Sequence, residues 1–199
     1  VAEATGAVGV PTAIDREGVA LVVRNAVGSA TMAILVVYAV GATSALGLTA
    51  TQYGLLLTAT AAGSVAGTLV AGTIERRLGR SRAMVAGLAA AVLFICSPVL
   101  SANPIVIASG FFIGGAGIVL WNVIAVSLRQ RITPDAVLGR VTGAHRLFAW
   151  GSKPLGAALG GLLAQAFGLE IVFVVMAVVV LGLLGLMRFV TDASIRSAE

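Results

Sequence analysis

The chain has 199 residues, of which 59% are apolar and only 11% are charged. Soluble domains carry roughly 25% charged and 45–50% apolar residues, so this chain has too few charges to cover a water-facing surface. Its formal net charge of +5 comes from 13 basic residues that are confined to a few short segments. The composition therefore excludes an ordinary soluble domain and predicts an integral membrane protein.

Six apolar stretches have the length of a membrane-spanning helix, which needs about 20 residues within a range of roughly 17–25. They are residues 26–45, 53–74, 83–100, 105–128, 147–167 and 171–190. Thr133, Pro134 and Asp135 predict a helix start before the fifth span. Residues 1–25 precede the first span and lack an initiator Met, which predicts that the chain begins within a longer one, and residues 191–199 are predicted to be a cytoplasmic tail. The fold class is all-α.

The basic residues lie at the termini and in two alternate loops, with Lys153 as the single exception. The loops after the first, third and fifth spans contain none. Because cytoplasmic loops of membrane proteins carry an excess of Lys and Arg, both termini are predicted to be cytoplasmic in a cell (inner or plasma) membrane. Anionic lipid headgroups account for the basic loop 129–146, which has no aromatic residue for stacking on bases, so no nucleic-acid partner is predicted.

No motif in the sequence predicts catalysis. A serine elbow, a zinc-binding H-E-x-x-H motif and a pair of cysteines are all missing, and the single His145 lies in a basic loop. The sequence predicts neither a metal site nor a cofactor, and the protein is predicted not to be an enzyme.

Small residues form faces on several spans, and such faces let membrane helices approach one another closely. The candidates for helix packing or for a hinge are Gly63, Gly67, Pro154, Gly156, Gly160 and Gly161. Packing is one interpretation, and a hinge for a rocking motion is the other, since interrupted helices mark the moving parts of carriers.

Lys153 is the one charge placed well inside a predicted span. It lies seven residues after Arg146, which is roughly 10 Å along a helix from the cytoplasmic edge. Its ammonium group either extends back to the interface or faces a central cavity and meets an anionic group. The candidates for lining a substrate cavity are Lys153, Trp150, Trp121 and Asn122.

Two segments carry a family resemblance. "RQRITPDAVLGRVTGAHRLFAWGSKPLGAALGG" resembles the segment between the tenth and eleventh helices of major facilitator superfamily transporters, in the branch of the enterobactin exporter and macrolide-efflux proteins. "YGLLLTATAAGSVAGTLVAGTIERRLGR" resembles the eighth helix and its following loop. The resemblance runs from about residue 45 to the end of the chain.

The resemblance implies that the six spans are the C-terminal half of a twelve-helix carrier, built from two inverted three-helix repeats. It also implies that residues 1–25 are the remnant of the central cytoplasmic linker. It further implies export of small molecules of a drug-like, macrolide or siderophore class by alternating access, with an N-terminal half as partner. The alternative is a stand-alone six-span protein that acts as a homo-oligomeric pore or scaffold. A pore requires a repeated polar lining, and the polar residues within the spans are scattered.

One loop departs from the superfamily pattern. The signature after the second helix of each half is roughly G-x-L-x-D-R-x-G-R, and residues 72–80 place Arg76 where the acid belongs. Glu75 is adjacent to that position. The loop therefore either takes part in a cytoplasmic gate or has only a structural role and a role in setting the orientation in the membrane. The candidates for gating and loop positions are Gly72, Arg76, Arg77, Gly79, Arg80, Arg129, Gly139 and Arg140.

Overall fold

The computed structural model describes residues 12–41, 44–132 and 135–187, and this part of the chain is helical apart from short connections. The six helices are α1 (Thr12–Ala39), α2 (Ala50–Leu78), α3 (Arg80–Leu100), α4 (Pro104–Ile132), α5 (Asp135–Phe167) and α6 (Leu169–Met187). The predicted all-α class is confirmed, and each predicted span overlaps one helix. Residues 1–11 of the predicted linker, Thr133, Pro134 and the predicted tail lie outside the described residues.

The helix ends follow from local sequence. Thr49 caps α2 in a capping box: its side chain accepts a hydrogen bond from the Gln52 backbone N–H, and the Gln52 side chain accepts one from the Thr49 N–H. Gly79 is the only residue between α2 and α3, and its φ of 80° favours glycine. Gly168, with a φ of 92°, separates α5 from α6 in the same way. The chain therefore reverses at two single glycines.

The first helix lies further toward the amino terminus than the predicted span 26–45. α1 begins at Thr12, so residues 12–25 of the predicted linker are helical. Isolated charges do not interrupt a helix, whereas a window of hydropathy excludes the turns that contain them. α1 ends at Ala39 because Gly41 adopts a φ of 117° and the Leu48 N–H donates to the Ala39 carbonyl. Arg24 consequently lies within a helix.

The glycine contacts define which helices pack together and in which direction. Gly63 lies against the Phe112 backbone and Gly67 against the Ala116 backbone, so α2 and α4 run parallel. A β-carbon at either glycine would overlap with the neighbouring main chain. α3 packs on the same helix in the opposite direction, and the rings of Phe94 and Phe111 stack with their centroids 4.3 Å apart.

The remaining helices assemble in the same manner. Gly156 lies against the Ala26 backbone and Gly160 against Ala30, so α5 runs parallel to α1. α6 packs on α1 and α3. The α2–α3 junction, the carboxyl end of α4 and the amino ends of α1 and α5 therefore meet at one end of the bundle, which we call the arginine end. The loop arginines of the described chain belong to it.

Apolar side chains fill the interior and cover much of the exterior. The largest fully buried ones are Trp121, Phe111 and Phe173. Large apolar side chains are also exposed along the helices, with Leu69 79% and Leu100 78% exposed. Within the described part of the chain, four helical segments are long and apolar enough to cross a membrane, and a shorter apolar one covers Leu169–Gly185. The four are Gly18–Ala39, Ala50–Leu78, Arg80–Leu100 and Pro104–Ser127. Such an exterior suits a lipid environment.

Candidate binding site

Two adjoining cavities share Arg24, Asn25 and Lys153 in their walls. The first, which we call the apolar cavity, has a volume of about 250 Å³ and lies among α1, α3, α4, α5 and α6. Its other lining residues are Val27, Gly28, Ser29, Met32, Ala91, Phe94, Ile95, Ile118 and Val180. The second, the polar cavity, has a volume of about 370 Å³ and reaches the arginine end. Its wall includes Asn122, Gln130, Thr142, His145, Arg146 and Trp150.

Arg24 is held where the two cavities meet. Its Nη2 donates hydrogen bonds to Asn122 Oδ1 on α4, at 3.1 Å, and to Asn25 Oδ1, at 3.3 Å. Its guanidinium carbon lies 5.8 Å from the centroid of the Trp121 ring. The Nη1 atom is buried, and no described atom accepts a hydrogen bond from it. The guanidinium is thus positioned by α4 but retains unused donor capacity.

Lys153 is the second cation of the site. It is half-buried, and its Nζ lies 4.2 Å from the centroid of the Trp150 ring. Trp150 is 67% exposed, which leaves much of its surface open to the polar cavity or to lipid. Neither Lys153 nor Arg24 forms an ion pair with a carboxylate of the described residues. The two cations therefore make this part of the bundle electropositive.

Asn25 joins the two helices that carry the cations. Its Nδ2 donates a hydrogen bond to the Ala149 carbonyl at 3.1 Å, which links α1 to α5. At Ala26, the next residue of α1, the close approach of Gly156 brings the two backbones together. Because these contacts bring α1 and α5 together along this stretch, Arg24 and Lys153 line the same cavities although they are distant in sequence.

The four cavity candidates from the sequence occupy different places. Lys153, Trp150 and Asn122 line the polar cavity. Trp121 lines neither cavity: it is 1% exposed, and its Nε1 is buried without a hydrogen-bond partner among the described residues. The side chain of Trp121 therefore packs in the core next to the site. Adjacent residues on a helix point about 100° apart, which explains why Asn122 faces the cavity and Trp121 does not.

The loop candidates lie at the arginine end, apart from the two cations. Glu75 Oε1 accepts a hydrogen bond from Arg80 Nε at 3.0 Å, so the acid adjacent to the signature position pairs across the Gly79 junction. Arg76 Nη2 donates to Thr73 Oγ1 at 3.1 Å. Gly72, Arg77, Gly139 and Arg140 are exposed, and Arg129 belongs to the last turns of α4.

The predicted packing positions divide into two groups. Gly63, Gly67, Gly156 and Gly160 contact a neighbouring backbone. Pro154 is exposed within α5, which continues as a helix through it, and a β-carbon at Gly161 would meet no described atom within 4 Å. Among the described residues no group of three His, Cys, Asp or Glu side chains is arranged to hold a metal ion.

Sequence reasoning missed Arg24 and Asn25 as site residues. Asn25 lies one residue and Arg24 two residues before the predicted first span, so both fall within the predicted linker 1–25. The signal was present in "LVVRNAV", where a basic and an amide residue interrupt an apolar run. An interruption of this kind inside a membrane helix is costly unless the polar groups have partners, and it therefore marks a functional position.

An all-helical bundle with an apolar exterior and a polar cleft at one end defines a multi-span membrane protein. The family model of the Major Facilitator Superfamily matches residues 21–198, and the chain belongs to this superfamily. Its members are membrane transporters, so the resemblance seen in the sequence is confirmed at the level of the superfamily. No match was found among curated proteins or among solved structures.

Proposed function

We propose that the chain is the C-terminal six-helix half of a secondary active transporter that works by alternating access. The observation that carries this proposal is the cleft in which Arg24, Asn25, Asn122 and Lys153 line adjoining cavities inside an otherwise apolar bundle. Carriers of this superfamily bind substrate between two halves near the middle of the membrane. A second, N-terminal half would then close over the cleft from the opposite side.

The helix contacts support two inverted three-helix repeats, α1–α3 and α4–α6. α2 packs on α4, and α5 packs on α1, as an exchange of equivalent helices requires. The same interval separates Gly67 from Gly156 and Gly79 from Gly168, since 156 − 67 and 168 − 79 both equal 89. Each member of the first pair contacts a neighbouring backbone, and each member of the second pair connects two helices.

The arginine end is proposed to be cytoplasmic, with both termini on that side of a cell membrane. The support is the positive-inside rule, because Arg76, Arg77, Arg80 and Arg82 adjoin the α2–α3 junction. Reporter fusions after Ala102 and after Leu138 are expected to report the external side and the cytoplasm, respectively. Replacing those four arginines together is expected to scramble this assignment, and an unchanged orientation would contradict it.

Export of small molecules, of a drug-like, macrolide or siderophore class, is proposed from the resemblance of residues 129–161 to that branch of the superfamily. The alternative, a homo-oligomeric pore or scaffold, predicts function from this chain alone. The carrier proposal predicts that the reading frame continues upstream into six further spans.

Transport assays separate these two functions. Vesicles containing the product of the complete reading frame are expected to show saturable transport that depends on an ion gradient. Vesicles containing residues 1–199 alone are expected to show none. Saturable transport by the 199-residue chain would overturn the proposal that it is half of a carrier, and gradient-independent flux through it would favour the pore.

A further inference from the structure

We infer that Arg24 and Lys153 bind the anionic group of an amphipathic organic anion whose apolar part occupies the apolar cavity. The inference rests on the proposed transporter function, because it assigns a chemical class to the substrate of that carrier. It concerns residues on two helices, α1 and α5, that meet at the junction of the two cavities.

The two cations of the cleft have no carboxylate partner among the described residues. A cation within a membrane helix is costly unless it pairs with an acceptor. Among the described residues, Arg24 has only neutral acceptors, the side-chain oxygens of Asn122 and Asn25. Glu75, the described carboxylate nearest to the signature position, is paired with Arg80. Two cations line this cleft with no ion pair to a described carboxylate, so an anionic ligand would supply the missing partner.

The donor geometry shows how the anion would be held. The Nη2 of Arg24 donates to Asn122 Oδ1, while the buried Nη1 has no described acceptor. A guanidinium presents several N–H groups in one plane, and a carboxylate accepts two of them in parallel. Asn122 fixes the orientation of that plane, and Lys153 adds a compact positive charge on the opposite helix. The arrangement suits a carboxylate or a comparable small oxyanion.

The apolar cavity determines the rest of the ligand. Most of its wall is aliphatic or aromatic, including Met32, Phe94 and Ile118, whereas the cations occupy one side of it. The exposed ring of Trp150 beside Lys153 adds an aromatic surface at the polar side. A ligand that places its charge at the cations and its hydrocarbon in this cavity makes both kinds of contact.

The depth of the site favours a solute over a lipid headgroup. Lys153 lies seven residues beyond Arg146 in α5, which corresponds to roughly 10 Å along the helix from this arginine and further from the amino end of α5 at Asp135. Lipid phosphates lie at the membrane interface, where the loop arginines are. An anion that reaches Arg24 and Lys153 has therefore entered the cleft.

The test uses the product of the complete reading frame in nanodiscs of phosphatidylcholine, with tritiated 2-naphthoate and its neutral analogue 2-naphthamide as probes. Charge-assisted hydrogen bonds predict that the protein binds the acid about tenfold or more tightly than the amide. Arg24→Gln and Lys153→Met are each expected to weaken naphthoate binding about tenfold and to leave naphthamide binding unchanged. Lys153→Arg, which retains the charge, is expected to keep most of the preference. Arg82→Gln, an exposed arginine outside the cleft, is the matched control and is expected to change neither affinity.

The outcomes separate the possible sources of the anion. Equal binding of the acid and the amide, or a preference that survives both Arg24→Gln and Lys153→Met, would overturn the inference. Loss of naphthoate binding when phosphatidylglycerol is added at one third of the lipid would assign the site to a headgroup and also overturn it. Selective binding without transport in vesicles would contradict the proposed function alone, whereas transport without acid selectivity would contradict only the anion site.

Discussion

The α1–α5 pair and the α2–α4 pair pack in the same way but carry different polar side chains. In each pair two glycines of one helix lie against the backbone of the other, and the helices run parallel. Lys153 of α5 falls 89 residues after Ser64, since 153 − 89 equals 64, so a lysine in one pair corresponds to a serine in the other. Ser64 donates its hydroxyl to the Thr60 and Gly115 carbonyls and leaves no charge in the interface.

The difference teaches that the close packing and the chemistry have separate origins. A glycine contact recurs at the equivalent positions Gly67 and Gly156 because both pairs need the same close approach. Arg24, Asn25 and Lys153 occur in one pair only, and they line the cavities. Residues that depart from the repeated pattern are therefore the better guide to function in this chain.

The largest expected effect comes from valine at the equivalent glycines. Gly67→Val and Gly156→Val each force a side chain into a neighbouring backbone, and we expect each to destabilise the protein by about 3 kcal/mol or more. The measurement is the recovery of monodisperse protein by size-exclusion chromatography. Gly161→Val is the control, because a β-carbon there meets no described atom within 4 Å. Normal recovery of Gly156→Val together with loss of folded Gly67→Val would show that the two helix pairs are not equivalent.

A carboxylate introduced next to Arg24 tests whether this arginine, which belongs to the α1–α5 pair, binds the anion. In Asn122→Asp the new carboxylate would accept from Arg24 Nη2 at the position where Asn122 Oδ1 does so now. We expect the preference for 2-naphthoate over 2-naphthamide to fall about tenfold, since the guanidinium is then occupied, without loss of thermal stability. Asn103→Asp, in the exposed connection before α4, is the matched control. An unchanged preference in Asn122→Asp would show that Arg24 does not bind the anion.

A smaller effect distinguishes a side-chain hydrogen bond that crosses the α1–α5 pair from one that crosses the α2–α4 pair. Asn25→Leu removes the hydrogen bond to the Ala149 carbonyl, and we expect it to cost about 1 kcal/mol. Ser64→Ala should cost less than about 0.6 kcal/mol, the average for such bonds in membranes, because its one hydroxyl hydrogen is shared between two carbonyls. Unfolding in mixed micelles measures both changes. The reverse order would mean that Asn25 does not hold α1 against α5.

The smallest expected effect concerns the two glycine junctions. The Glu75–Arg80 pair spans Gly79, whereas Ala164 and Leu169 occupy the equivalent positions around Gly168, since 164 − 75 and 169 − 80 are both 89. Glu75→Gln is expected to lower stability by about 0.5 kcal/mol or less, with a loss that shrinks in high salt. Glu170→Gln, at an exposed acid, should change nothing. If Glu75→Gln lowers the transport rate strongly while its free energy of unfolding stays within this range, the Glu75–Arg80 pair would be assigned to a gate.

The sequence predicts the helices well because length and hydropathy are local properties. It places the start of α1 too late, since the hydropathy window treats Arg24 as the edge of the span, while the helix continues to Thr12. It identifies Lys153, whose charge stands alone in an apolar run. The meeting of Arg24 with Lys153 depends on how α1 packs on α5, and no window of sequence contains both residues. The burial of Trp121 likewise follows from tertiary packing rather than from residue type.

The exchange of helices also sets an order of events during synthesis. Ala26 and Ala30 of α1 are made before their partners Gly156 and Gly160 on α5, which are each added 130 residues later, since 156 − 26 and 160 − 30 both equal 130. At about 5–20 residues per second, α1 waits on the order of ten seconds for the helix it packs against. Asn122 is added 98 residues after Arg24, since 122 − 24 equals 98, and Ala149 is added 125 residues after it, since 149 − 24 equals 125. Until Asn122 has been made, Asn25 is the one of the two side-chain acceptors of Arg24 that the nascent guanidinium has beside it.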